Sequence, residues 1–179
     1  MTSPKNIFAI IGSASNNSAN EKLVQYISKV TSPDFSIEIF NDLKSLPHFD
    51  PELSAANPPD EIVSLRTKIQ NADGIIICTP EYVFSIPSGL KNAIEWCVAT
   101  TVFSEKPAGL ITASADGQKG HEELQLILKT VMARFNADTT LLIHGIKGKI
   151  NTEGEITDLK TSEKVATWIK AFQELLSTY

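Results

Sequence analysis

The residues of this chain best suited to chemistry sit in three polar loops. In GSASNNSANE (12–21), Ser13, Ser15, Asn16, Asn17 and Ser18 follow an apolar run and precede a helical pattern. Hydroxyls and amides beside the free N–H groups and partial positive charge of a helix N-terminus suit an anion such as phosphate. The same residues also fit an ordinary cap, because Ser18 and Glu21 have the spacing of a capping box. In TPEYVFSIPSGLKNAIEW (79–96), Pro80 and Pro87 stiffen a loop that presents Glu81 and Tyr82. Such a loop suits a flat heteroaromatic ligand; the alternative is that Tyr82 and Phe84 pack and Glu81 is solvated. In TASADGQKG (112–120), Ser114, Asp116, Gly117 and Gly120 make either a flexible, backbone-rich binding loop or a plain strand-to-helix joint. The first loop has neither the three spaced glycines of a dinucleotide fingerprint nor the Gly-Lys-Ser/Thr of a P-loop.

No catalytic acid, base or nucleophile is nominated. His48, His121 and His144 share no metal-ligand spacing with one another or with Cys78 and Cys97, so no metal site is expected. Glu122 and Glu123 read as a wet helix face, and Trp96 falls off the stripe of its helix, at a surface contact or a packed edge.

For the three loops to act together, the elements between them must bring them to one place. NIFAII (6–11), SIEIF (36–40), GIIIC (74–78), PAGLITAS (107–114) and TTLLIH (139–144) read as five strands. Between and after them, apolar residues recur at helical spacing: Leu23, Ile27, Val30; Ile62, Leu65, Ile69; Leu90, Ile94, Cys97; Leu124, Leu128, Phe135; and Val165, Trp168, Phe172. LPHFDPELSAANPPD (46–60) reads as a loop or excursion, and KGKINTEGEI as a glycine-marked turn before the last helix. Five strands alternating with five helices predict one domain, residues 1–179, with a parallel sheet covered on both faces. The first and third strands are the most apolar and should be central. Ligands of such sheets bind beyond the carboxyl ends of the strands, at the point where strand order reverses.

Bulk properties agree with a soluble globular chain: 42% hydrophobic residues and a net charge of -5. A mildly acidic surface disfavours nucleic acid, and no apolar run approaches a membrane span. The N-terminus lacks the pattern of a signal peptide, and the two cysteines read as reduced packing residues, so the expected location is cytoplasmic.

The GSxxxxSxN pattern after the first strand, PEYxxSIPxxLKNAIEW after the third and the Ser/Gly-rich loop after the fourth resemble the NAD(P)H-dependent FMN reductase family. That family includes quinone, azo-dye and chromate reductases, and the resemblance covers nearly the whole chain. It implies a flavodoxin-like three-layer sandwich with strand order 2-1-3-4-5. It further implies an oxidoreductase taking hydride from NADPH or NADH through FMN to quinone, azo, metal oxyanion or flavin acceptors. Ser13, Ser18 and Asn20 would bind the FMN phosphate, Pro80, Glu81 and Tyr82 would line the ring largely through main chain, and Ser114 and Gly117 would lie near its other edge. Two positions of the implied site depart from the family pattern: Ser15 stands where arginine is usual and Val83 where asparagine is usual. The resemblance also implies a homodimer or tetramer, with the surface around Trp96 as a contact. Alternative readings are a flavodoxin-type electron carrier, or a non-enzymatic relative with weakened flavin binding.

Overall fold

A computed structural model describes residues 3–178. Five parallel strands, β1 (Lys5–Ile11), β2 (Phe35–Phe40), β3 (Gly74–Thr79), β4 (Ala108–Ser114) and β5 (Thr140–His144), form one sheet in the order β2-β1-β3-β4-β5. This is the flavodoxin-like order expected from the sequence. β3 is buried along its whole length, and β1 is buried from Ile7 onward, as the two most apolar runs required.

Alternation along the strands splits the core in two. Ile7, Ala9, Ile11, Ile76, Cys78 and Ile111 face α1 (Ala19–Val30) and α6 (Leu159–Ser177). Phe8, Ile10, Ile75, Ile77 and Leu110 face α3 (Asp60–Asn71), α4 (Ser88–Glu95) and α5 (Gln118–Thr130). Each of these helices turns its buried stripe to the sheet; on α6 the stripe includes Trp168 and Phe172, stacked at 5.5 Å. Trp168 keeps its polar edge satisfied by donating Nε1–H to the carbonyl of Thr139 at 2.9 Å.

The structure corrects the sequence reading at one place in this layer and decides between two readings at another. The stretch read as a loop at 46–60 contains a short helix, α2 (Pro51–Ala56). Asp50 caps it by accepting N–H bonds from Glu52 and Leu53 at 2.9 and 3.0 Å, with Pro51 in the first turn where its missing N–H costs nothing. Trp96 lies on no surface contact. It is fully buried, stands edge-on to Phe49 with ring centroids 5.5 Å apart, and donates Nε1–H to the carbonyl of Pro47 at 2.8 Å. Cys78 and Cys97 are free, buried thiols, as expected. Among the described residues, no helix is long and apolar enough to cross a membrane.

Candidate functional site

A cleft of about 820 Å³ opens beyond the carboxyl ends of the strands. Its first wall is the loop after β1. Gly12 donates its N–H to the carbonyl of Cys78 at 2.8 Å and lies so close to β3 that a side chain there would run into Thr79. That approach holds the loop against the neighbouring strand at the point where strand order reverses. Ser13 is buried at the cleft floor, and its Oγ accepts the N–H of Ser15 at 3.3 Å. Ser15 lines the same wall and is exposed.

Ser18 is the N-cap of α1, and its Oγ accepts the N–H of Glu21 at 3.1 Å. Only this half of the expected capping box forms, because the Glu21 carboxylate instead accepts from Asn41 Nδ2 at 2.7 Å. The N–H groups of Ala19 and Asn20, in the first turn of α1, engage no acceptor among the described residues. They stand at the cleft, where the helix carries its partial positive charge. The Asn20 side chain points elsewhere: Nδ2 donates to the carbonyl of Ala113 at 3.2 Å, and Oδ1 accepts from the Cys78 thiol at 3.3 Å. Its amide therefore ties α1 to β3 and β4, and only its backbone faces an anion. Burial pushes the Cys78 thiol well above its ordinary range, so it is a packing donor and not a nucleophile.

The second wall is the loop after β3, where Pro80, Glu81 and Tyr82 line the cleft. Its backbone is pinned. Ser114 Oγ accepts the N–H of Glu81 at 3.2 Å, and Tyr82 and Ser85 exchange two N–H···O bonds of 2.9 and 3.1 Å. The hairpin tip between them carries Val83 and Phe84 at φ 52° and 60°, with Val83 94% and Phe84 73% exposed. Two carboxylates clamp this hairpin to α5. Glu81 accepts the N–H of Gly120 at 2.8 Å, in the first turn of α5 where negative charge is favoured. Glu123 accepts from Ser85 Oγ at 2.6 Å and from the N–H of Ile86 at 2.8 Å. Glu122 is a solvated residue, as expected, but Glu123 is a clamp, which corrects the wet-face reading for that residue.

The third wall follows β4. Ser114 and Ala115 line it, whereas Gly117 lies behind. Gly117 holds φ 97° as the N-cap of α5, packed against Thr112 and Leu142, so its part is to turn the chain. Next to it, the His121 ring is buried against Thr112 Oγ1 at 2.9 Å, and burial holds its pKa below the ordinary value, opposed by Glu122. Of the ten residues expected at the site, eight line the cleft; Val83 and Gly117 do not.

A fourth wall was missed by the sequence reading. Gly145 (φ 64°) donates its N–H to the carbonyl of Ser114 at 2.7 Å, turning the chain after β5 back over the cleft. This brings Lys147, Ile150, Asn151 and Thr152 to its edge, opposite Lys22 of α1. The signal was present in Gly145, Gly148 and Gly154, and a loop after the fifth parallel strand must emerge on the same side as the other three. No group of His, Cys, Asp and Glu suited to a metal occurs among the described residues.

The geometry is thus a rigid cleft with an anion-favouring end and an aromatic-edged end. The family model for NADPH-dependent FMN reductase matches residues 5–147. A NADH:(hydroxy)cinnamate reductase subunit of Vibrio ruber is 31% identical over 178 residues, covering 96% of this chain and 85% of the relative. A quinone reductase of Escherichia coli is 26% identical, covering 98% and 97%. Among solved structures, a flavoenzyme NAD(P)H:(acceptor) oxidoreductase of Paracoccus denitrificans has the same fold, with TM-score 0.80, 24% identity and coverage of 97% and 98%.

Proposed function

Since the chain belongs to the NADPH-dependent FMN reductase family, we propose that it is an FMN-dependent NAD(P)H oxidoreductase that reduces quinones and similar small acceptors. The observation that carries this reading is the cleft, whose size falls in the range of small-molecule sites and whose two ends differ in kind. The free N–H groups of Ala19 and Asn20, with the hydroxyls of Ser13, Ser15 and Ser18, fit a phosphate. The Pro80–Tyr82 segment and the Ser114–Ala115 backbone fit the two edges of a flat ring. A bare anion would leave the aromatic-edged end without a partner.

When bound, FMN supplies the chemistry, taking a hydride from a nicotinamide and passing its electrons to an acceptor. The chain's own residues bind and orient. Ser114 fixes the Glu81 backbone, the Glu81 and Glu123 carboxylates keep the hairpin on α5, and the two loops therefore hold their spacing without closing motions. Tyr82 lines the cleft and is 43% exposed, and nicotinamide and acceptor would use the ring face beside it in turn. Acceptors would include azo compounds, metal oxyanions and free flavin as well as quinones. We read residues 1–179 as a single flavin-binding domain that works as a homodimer or tetramer. The contact would be the exposed Val83–Phe84 tip, not Trp96. Dependence on NAD(P)H and two free, buried cysteines support a cytoplasmic setting.

The test is a visible absorption spectrum of the purified protein after reconstitution with FMN and desalting, repeated anaerobically with NADPH and with NADH. The expected result is a retained flavin band that bleaches with one or both donors and returns on adding a benzoquinone. A protein that retains no flavin and shows no FMN-dependent NAD(P)H oxidation overturns the proposal.

A further inference from the structure

We propose that Lys22 and Lys147 supply the positive charge that holds the phosphate of the bound flavin, a role that Ser15, uncharged and exposed, cannot fill; this rests on the reading above. Both lysines line the cleft, and they reach it from different elements, Lys22 from α1 and Lys147 from the turn after β5. Neither makes an ion pair among the described residues, whereas Lys5, Lys68, Lys91 and Lys119 all do. Among the described residues, the only carboxylate that lines the cleft, Glu81, is turned to the N–H of Gly120. In a chain of net charge -5, the cleft therefore has two cations to one committed anion.

A second, separate observation places a ligand at the same end. Ser13 is 5% exposed, and although its Oγ accepts from Ser15, its hydroxyl hydrogen has no acceptor among the described residues. A buried donor left open beside the free N–H groups of Ala19 and Asn20 calls for an acceptor from outside the chain. The loop after β5 also passes close to the lysine: a side chain added at Gly154 would stand 3.8 Å from Lys22 Cβ. Glu153 lies in the field of Lys22 but is bonded to Thr152 Oγ1 at 2.6 Å, so it tempers the positive charge without cancelling it.

FMN and riboflavin differ only by the phosphate, so their comparison isolates this contribution. Binding of each to the wild-type protein and to Lys22→Met, Lys147→Met, Lys22→Arg and Glu153→Gln is measured by quenching of flavin fluorescence at low and high salt. Wild type should prefer FMN, and each Lys→Met change should weaken FMN roughly three- to tenfold while leaving riboflavin unchanged. Lys22→Arg should restore the affinity, Glu153→Gln should tighten FMN, and the salt dependence should flatten in the Met variants. Equal binding of the two flavins by wild type overturns the inference. So does FMN preference undiminished in both Met variants, and in that case the reductase reading stands. Binding of neither flavin overturns that reading and the inference together. Thermal unfolding without flavin controls for folding; both lysines are at least partly exposed, and no loss is expected.

Discussion

Val83 and Phe84 break two local rules at once: they are apolar residues at the tip of an exposed hairpin, and both sit at positive φ. A two-residue hairpin whose central residues are both left-handed favours Asn-Gly, because a Cβ there meets the following carbonyl at a cost of about 1–2 kcal/mol per residue. A β-branched valine is the worst case. The hairpin survives because its flanks are fixed by the paired Tyr82 and Ser85 and by the Glu123 clamp. Replacing the tip by Val83→Asn with Phe84→Gly should therefore raise stability by about 1–3 kcal/mol. If the tip is the contact between copies, the same variant should also sediment as a smaller species. Lower stability of the double variant, measured at a concentration where both proteins are monomeric, would sink the strain argument. The sequence names these residues but not their torsions, since nothing in VF signals a left-handed pair.

At the scale of elements, most of the architecture was legible. Five β-branched runs and five helical stripes gave the layers, and the apolar character of NIFAII and GIIIC gave the central strands. What escaped were features set by partners far along the chain. DPEL capped a helix inside a stretch whose prolines and asparagine spoke for a loop. Trp96 lay off the stripe of α4 yet packed inward, because Pro47, Phe49 and α2 cover that side; Arg66 donates to the carbonyls of both Ser54 and Trp96 to hold them there. Glu123 looked like one more solvent charge, although it reaches Ser85 and Ile86 nearly forty residues away. The clamp makes a prediction for this level. Glu123→Ala removes two hydrogen bonds to a carboxylate and should cost about 1–3 kcal/mol. More tellingly, amide hydrogen exchange should rise across residues 80–87 while the sheet stays protected. Unchanged exchange in that segment would mean that the prolines alone hold the loop.

For the molecule as a whole, the separation between net and local charge decides what the surface attracts. A net charge of -5 turns away polyanions, yet the carboxyl end of the sheet gathers a helix N-terminus, Lys22 and Lys147. Three of its four walls were legible because the reversal of strand order points to the loops after β1, β3 and β4; the fourth was not, because KGKINTEGEI carries no signature beyond its glycines. The four walls come from four different connections of the chain, so a ligand spanning the cleft joins segments that separate on unfolding. A ligand that binds only the folded chain adds about 2.7 kcal/mol at one hundred times its dissociation constant. For 179 residues that corresponds to a rise in Tm of about 5–10 °C. FMN should produce this shift, and riboflavin at the same concentration a smaller one, because riboflavin leaves the α1 end empty. AMP, which offers a phosphate but no isoalloxazine, should also fall short of FMN, since Pro80–Tyr82 and Ser114 would lack the ring they border. A scan in which all three ligands shift Tm equally would show that the two ends of the cleft do not act on one molecule.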